Sequence, residues 1–165
     1  AESDIELLAF STNEKEDSIS KSLKQKFSDW IPLSHSKNFK ESAEKIYKKA
    51  PNILVDLNGH TKFNVLPVFA FRPAPVQVTW LGYSGTTGLE TIDYKLADSH
   101  VVSEAEEKFY TESIWKLPNC FLCPIIPSDA GDISSLPANK NGYLTKYKFC
   151  FYNIKKKKYL YQREN

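Results

Sequence analysis

Apolar runs alternate with amphipathic stretches along the first third of the chain. IELLAF at residues 5–10 and ILVDL at residues 53–57 are continuous apolar runs, which predict strands buried in a sheet. WIPL at residues 30–33 is a shorter extended run, and its proline favours the edge of a sheet. Between these runs, apolar side chains recur every three or four residues, which predicts helices over residues 12–27 and 37–50.

The helix start signals are polar residues that can accept a hydrogen bond from the first helical turn. Thr12 or Asn13 is predicted to cap the first helix. A third helix is predicted over residues 61–71, with Pro67 tolerated in its first turn. A fourth is predicted after Ser103, because Glu106 completes a capping box. Three further strands are predicted, at residues 76–80, 93–98 and 112–118.

This alternation predicts the fold class. Strands separated by single helices are typical of βαβ units, in which all strands run the same way. Residues 5 to about 117 are therefore predicted to form one α/β sheet, Rossmann-like, three-layer and mainly parallel.

The domain organisation follows from the prolines and the tail. Four prolines between residues 118 and 137, with the sequence DAGDISS, indicate a linker. We expect an α/β domain at residues 1–128, followed at 129–165 by the linker, a possible strand and a basic tail. Four consecutive lysines and interleaved tyrosines can bind nucleic acid, but a solvated end is the commoner outcome, and we expect no nucleic-acid partner.

Composition narrows the class of protein. Hydrophobic residues make up 41% of the 165 residues, charged residues make up 25%, and the net charge is +2, as in a soluble globular protein. No apolar window is long enough for a membrane helix and the start is no signal peptide, so we expect no membrane partner. Three cysteines without a secretory signal indicate a reducing, cytoplasmic location. Because the chain contains no methionine, we expect a piece of a longer protein.

The Cys120-x-x-Cys123 pair is the strongest metal-like motif in the chain. A zinc ribbon needs a second pair of cysteines, and a thioredoxin-like motif should open a helix, whereas here prolines flank the pair. We therefore interpret these thiols, with Cys150, as structural or incidental.

Candidate ligand-binding residues follow two of the predicted strands directly. Asn58, Gly59 and His60 come after ILVDL, and a loop with glycines at 82, 85 and 88 comes after VQVTW. Parallel strands place such loops on one rim, where ligands bind in sheets of this kind. We therefore predict that the two loops converge and that the glycine-rich loop faces a ligand, although a plain tight turn is the alternative.

Two titratable residues, His60 and Asp56, each allow two interpretations. His60 is either a proton-transfer or sugar-contacting group, or a loop histidine bonded to the backbone. Asp56 either orients His60 or caps the loop that follows it. His35 and His100 are expected at the surface. Asp93 and Asp98 resemble a hydrolase pair only by spacing.

Several longer motifs carry a family resemblance. DLNGHT at residues 56–61, LPVFAFRPAPVQVTWLGYSGTTG at 66–88 and IDYKLAD at 92–98 resemble the catalytic region of the O-GlcNAc transferase family, over about residues 5–153. The resemblance implies a GT-B glycosyltransferase that transfers N-acetylglucosamine from UDP-GlcNAc to Ser and Thr hydroxyls of acceptor proteins, with inversion. It also implies two facing Rossmann-like lobes and preceding helical repeats. No cofactor and no metal is expected, since basic groups and a helix N-terminus offset the diphosphate charge.

The chain matches only part of the N-terminal lobe of that family. It lacks the first strand-loop-helix of the lobe, the second catalytic lobe and the helical repeats. We therefore expect the isolated chain to be inactive and to expose the apolar face meant for its partner. The alternative is a non-catalytic binding or interaction module derived from a decayed glycosyltransferase lobe.

The resemblance assigns site residues position by position. His60 is implied as the catalytic-site residue, and the residues implied to bind substrate are Thr61, Lys62, Leu81, Gly82, Tyr83, Gly85 and Thr86. Three positions depart from the family pattern. Ser84 replaces a usual Pro, Phe63 a usual Gly, and Val65 a frequent Arg. Phe63 would be strained if its φ were positive.

Overall fold

A computed structural model describes residues 5–13, 15–123, 131 and 135–143. The chain divides into two compact units, Ala1–Pro124 and Ile125–Asn165. The boundary predicted after residue 128, the strand predicted in the tail, the four lysines and Cys150 all lie outside the described residues. These predictions therefore stay predictions.

The described residues of the first unit form six short strands, and every pair of neighbouring strands among them is parallel. The predicted α/β class is therefore confirmed, and each predicted strand is present within a few residues of its predicted place. The strands are β1 Leu8–Ser11, β2 Asp29–Pro32, β3 Ile53–Asp56, β4 Val76–Thr79, β5 Tyr94–Ala97 and β6 Ser113–Lys116.

The helices are shorter than predicted, and the first begins later. Helix α1 spans Ser18–Lys24, and its cap is Asp17, whose carboxylate accepts the Ser20 N–H at 2.7 Å. The predicted caps Thr12 and Asn13 are thus wrong, because a carboxylate nearer the apolar positions takes the first free N–H groups. Helix α2 spans Phe39–Lys48.

Two predicted helices shrink to single turns. Helix α3 covers only Leu66–Phe69, with its proline at the start as predicted. The Asn64 side chain accepts the Leu66 N–H at 3.2 Å, so the chain before it turns separately. The Ser103 capping contact forms, with its N–H 3.0 Å from Glu106 Oε2, but only a 3-10 turn at Glu107–Phe109 follows. The chain becomes extended at the next residue to enter β6, which leaves no room for a helix.

In the second unit, the described residues include one short helix, α4, at Pro137–Asn141. It ends at Gly142, whose φ of 73° is the left-handed conformation that glycine adopts readily. The sequence patterns did not predict this helix.

The sheet is divided into two parts. Strands β1 and β2 form a two-stranded sheet, and the others form a four-stranded sheet in the order β3-β4-β5-β6. The single sheet predicted from the sequence is therefore wrong in this respect. Within the described residues, β3 is an edge strand of the four-stranded sheet, and no strand of one sheet pairs with a strand of the other.

Helices α2 and α3 cover one face of the four-stranded sheet. The core there is built from Leu33, Ala43, Ile46, Leu54, Leu66, Val68, Phe69, Ala74 and Ile92. The opposite face carries four exposed apolar side chains: Ile53, Val55, Tyr94 and Trp115. Strand β3 therefore alternates between exposed and buried residues, whereas its sequence predicted burial on both faces. The expectation of an exposed apolar face is confirmed.

Among the helices of the described ranges, none has both the length and the apolar character needed to cross a membrane.

Hydrogen exchange should reveal the open edge of β3. The Asp56 carbonyl accepts the Trp80 N–H at 2.9 Å, so alternation along the ladder points the Val55 N–H away from β4. We predict that the Val55 amide exchanges about fivefold faster than those of Leu54 and Asp56, since one backbone hydrogen bond is worth about 1 kcal/mol. NMR-detected exchange on the 165-residue chain measures this. Equal protection at all three amides would mean that another segment pairs with the edge.

Candidate functional site

The two loops singled out in the sequence meet at the carboxyl ends of β3 and β4. The His60 and Tyr83 rings lie 5.4 Å apart between centroids and pack edge to face at 87°. This confirms the prediction that the DLNGHT loop and the glycine-rich loop converge on one rim. The neighbouring rings place an imidazole beside a phenol at a surface where both side chains are exposed.

Close contact between the loops explains two of the glycines. A Cβ atom on Gly82 would overlap the Leu57 carbonyl oxygen and come within 2.9 Å of Asn58 Cα. A Cβ atom on Gly59, whose φ is +54°, would overlap Tyr83 Cβ. The backbones therefore approach so closely that a side chain on either residue would push the loops apart.

Asp56 acts as the cap of the first loop. Its buried carboxylate accepts the N–H groups of Asn58 at 3.1 Å and Gly59 at 2.9 Å, and the Thr79 hydroxyl at 2.8 Å. Of the two interpretations left open by the sequence, capping is confirmed. Within residues 5–13 and 15–123, Asp56 makes no hydrogen bond to His60.

Two buried charged residues missed by the sequence analysis hold the glycine-rich loop. Glu112, directly before β6, accepts the Thr87 N–H and the Thr86 hydroxyl, each at 2.7 Å, and also the Thr87 hydroxyl. Lys95, on β5, donates from Nζ to the Tyr83 carbonyl at 2.8 Å. Only 4% of Glu112 and 2% of Lys95 are exposed to solvent. The loop is thus attached to the sheet by an anion and a cation.

The protonation of both groups follows from these contacts. Burial raises the pKa of Glu112, but hydrogen bonds from Thr87 and Thr86 outweigh it and bring the pKa below its ordinary value. Burial lowers the pKa of Lys95, and the Glu112 and Asp56 carboxylates partly offset that effect.

The orientation of His60 is fixed by one backbone contact. Its Nε2 lies 3.0 Å from the Thr87 carbonyl oxygen. A carbonyl oxygen only accepts, so Nε2 must carry the proton. In the neutral ring, Nδ1 then carries the lone pair and is the atom that can accept a proton or a hydrogen bond.

Local contacts engage the other residues of the first loop. The Thr61 hydroxyl donates to the Asn58 carbonyl at 2.9 Å, and Lys62 Nζ lies 4.8 Å from the centroid of the Phe63 ring. Phe63 has a φ of 66°, so the strain expected at this position is present.

In the second loop, some of the predicted residues are exposed to solvent and others make contacts within the protein. Leu81, with a φ of 71°, and Tyr83 are exposed, and Gly85 lies against the Tyr83 ring. The Thr86 hydroxyl, by contrast, is donated to Glu112. The roles predicted in substrate binding for all these residues stay predictions.

The other candidate residues lie in structural contacts or at the surface. His35 and His100 are exposed, as predicted. Asp93 pairs with Arg72 at 2.7 Å, and Asp98 accepts the Phe121 N–H at 2.9 Å, so the two carboxylates have separate structural partners.

The cysteine motif shows no partner in the part of the chain that the structure describes. Cys120 and Cys123 are exposed free thiols, and the described residues contain no group of three or more potential metal ligands. The interpretation of these thiols as structural or incidental stays a prediction.

A parallel α/β unit with converging polar loops at the carboxyl ends of its strands has the architecture of a Rossmann-like domain. The model of glycosyl transferase family 41 matches residues 2–125, and the chain belongs to that family. The family resemblance seen in the sequence motifs is thereby confirmed.

Relatives by sequence carry transferase names. The "Probable UDP-N-acetylglucosamine--peptide N-acetylglucosaminyltransferase SPINDLY" of Eustoma exaltatum subsp. russellianum is 44% identical over 106 residues, which cover 64% of this chain and 12% of that protein. The corresponding "SEC" protein of Arabidopsis thaliana is 36% identical over 102 residues, 60% of this chain and 10% of its own length. The chain therefore spans about an eighth of the length of the first relative.

A solved structure shows the same fold. A mutant of the Thermobaculum terrenum O-GlcNAc transferase superposes with a TM-score of 0.71 at 32% sequence identity. The match covers 75% of this chain and 24% of the other. This similarity agrees with the predicted partial lobe of a GT-B glycosyltransferase.

Replacing Gly82 should separate the two loops. We predict that Gly82→Ala destabilises the chain by about 1–3 kcal/mol, because the added methyl group meets backbone atoms of the other loop. Urea unfolding measures the change, and Ser84→Ala, at an exposed side chain in the same loop, should alter stability by less than about 0.5 kcal/mol. Equal stability of the two variants would contradict the close contact.

Acid should weaken the attachment of the second loop. Because the folded pKa of Glu112 lies below its ordinary value of 4.5, its stabilising contribution is complete above that pH and is lost as the pH falls through the folded value. Other carboxylates also titrate, so the comparison is between wild type and Glu112→Gln. We predict that urea midpoints of wild type fall more steeply below about pH 4.5 than those of the variant. Parallel pH profiles would exclude this role of Glu112.

Proposed function

We propose that this chain is part of the N-terminal catalytic lobe of a protein O-GlcNAc transferase. The observation that carries the proposal is the contact between the His60 loop and the Tyr83 loop at the carboxyl rim of a parallel sheet. Family membership and the names of the relatives supply the class of reaction. The enzyme would transfer N-acetylglucosamine from UDP-GlcNAc to Ser or Thr hydroxyls of acceptor proteins, with inversion.

His60 is the residue best placed for proton transfer in this reaction. Its Nε2 is occupied by the Thr87 carbonyl, which leaves Nδ1 to accept a hydrogen bond or a proton from an acceptor hydroxyl. Its exposed ring lies against Tyr83, whose own exposure allows it to line the acceptor side. A single displacement at the anomeric carbon needs such a group opposite the departing diphosphate.

The remaining parts of the enzyme would come from other segments of a longer protein. The division of the described strands into two separate sheets supports this, because a doubly wound domain is built on one continuous sheet. The exposed apolar face at Val55 and Trp115 supports it as well. The second lobe would hold most of UDP-GlcNAc, and we propose transfer without a metal or cofactor, in the cytoplasm.

The 165-residue chain alone should transfer no sugar. Positioning of both reactants accounts for roughly 7–11 kcal/mol of such a barrier, and one partial lobe contributes only the acceptor side. The test incubates purified chain with UDP-GlcNAc and a Ser/Thr peptide and follows the peptide by mass spectrometry. Turnover above a heat-killed control would show that this chain is catalytically sufficient and would contradict the proposed division between lobes.

In the full-length protein, His60→Ala should lower kcat by about 10²–10⁴-fold, the range expected for loss of a general base. His35→Ala is the matched control, because His35 is exposed and lies outside both site loops. Its kcat should stay within about twofold of wild type, since surface substitutions away from a site change little. An unchanged rate in His60→Ala would remove His60 from the reaction.

A further inference from the structure

Three charged side chains are buried together beneath the two site loops. Asp56, Lys95 and Glu112 are each less than 5% exposed to solvent. Each is attached to a different part of the rim: Asp56 to the backbone before His60, Lys95 to the Tyr83 carbonyl, and Glu112 to Thr86 and Thr87. Charged groups are seldom buried unless they are paired or hydrogen-bonded, and each of these three side chains has a partner in the two site loops.

Glu112 has a full set of local donors. Two hydroxyls and one backbone N–H point at its carboxylate from two consecutive residues, Thr86 and Thr87. Hydrogen bonds to a charged acceptor are shorter and stronger than those between neutral groups. The peptide unit of Thr87 is therefore held more firmly than the exposed residues around it.

The same Thr87 presents its carbonyl to His60. Glu112 binds the N–H and hydroxyl of Thr87, and the Thr87 carbonyl lies 3.0 Å from His60 Nε2. Lys95 holds the loop four residues earlier, at the Tyr83 carbonyl. Tyr83 packs against the His60 ring, and Thr87 is hydrogen-bonded to it.

We propose that Glu112 and Lys95 are positioning residues of this site, which fix Thr87 and Tyr83 so that His60 donates from Nε2 and offers Nδ1 to the acceptor hydroxyl. The proposal rests on the proposed function for the identity of that hydroxyl. The contact chain from Glu112 through Thr87 to His60 does not depend on it. Glu112 and Lys95 touch the loop from the core side and need not contact substrate themselves.

The direct test observes the His60 side chain by NMR in the 165-residue chain. In wild type, the Nε2–H proton of His60 should be visible and protected from exchange with water, because it is bonded to the Thr87 carbonyl. His60→Asn assigns the signal by removing it. The exposed His35 and His100 serve as internal references for unprotected rings.

Removing the carboxylate should release the ring without changing the core. In Glu112→Ala, the His60 Nε2–H should lose its protection, with exchange roughly tenfold or more faster. Glu112→Gln keeps one acceptor oxygen and should retain part of the protection. Glu106→Gln is the matched control, because this exposed carboxylate contacts only Ser103, and it should have no effect.

Two milder variants cover the case in which Glu112→Ala does not fold. Thr87→Val keeps the shape of the side chain and removes only the hydroxyl donated to Glu112, and Lys95→Met removes the charge at Tyr83. Both should speed exchange of the His60 proton by several-fold. Unchanged protection in folded Glu112→Ala, or in Glu112→Gln, Thr87→Val and Lys95→Met together, would overturn the proposal. Because no donor sugar is used, this result is independent of the transferase assays.

Discussion

The Glu112 carboxylate is the contact on which the order of the glycine-rich loop depends. It lies at the start of β6, yet its hydrogen bonds are all made to residues about 25 positions earlier, beside β4. The loop between β4 and β5 contains no helix, so it has few backbone partners of its own. The buried Glu112 carboxylate supplies hydrogen bonds that a helix would otherwise provide. It also fixes the position of the Thr87 carbonyl relative to His60.

The opposite charges of Glu112 and Lys95 reduce the free-energy cost of burying either side chain. A lone buried carboxylate would destabilise the fold. Here Lys95 lies close enough to interact electrostatically with Glu112, and each of the two ions also has a hydrogen-bond partner in the loop. Such a group of charges contributes little net stability compared with an apolar core of similar volume. Its effect is to fix one geometry for exposed residues that would otherwise adopt several.

Much of the fold could be predicted from the sequence, because parallel strands and amphipathic helices have strong periodicities. The strand at DYKLAD and the convergence of the two loops are examples. The cap at Asp17 and the shortened helix at Leu66–Phe69 were missed, since short polar side chains compete locally for the same backbone N–H groups. The division into two sheets was also missed, because periodicity identifies strands but does not say which strands are neighbours.

The sequence predicted only the loop residues of the candidate site and not the buried residues beneath them. His60, Tyr83 and the glycines lie directly after predicted strands, and ligands bind at the carboxyl ends of strands in a parallel sheet. Lys95 and Glu112 were not singled out from the sequence, although alternation along β5 places Lys95 on the same side as the fully buried Ala97. A charge at an inward position of a strand is the signal that could have revealed Lys95, whereas Glu112 lies directly before β6 and offers no such signal.

The two loops differ in what supports them, and this difference bears on how the site works. The Tyr83 loop is fixed by β5 and β6, which are paired strands within the four-stranded sheet. The His60 loop follows β3, which is an edge strand of that sheet in the part of the chain that the structure describes. The His60 ring is contacted by the glycine-rich loop, through the Thr87 carbonyl and the Tyr83 ring. The glycine-rich loop is therefore supported by paired strands of the sheet, whereas the His60 loop follows a strand that is paired on one side only within the described residues.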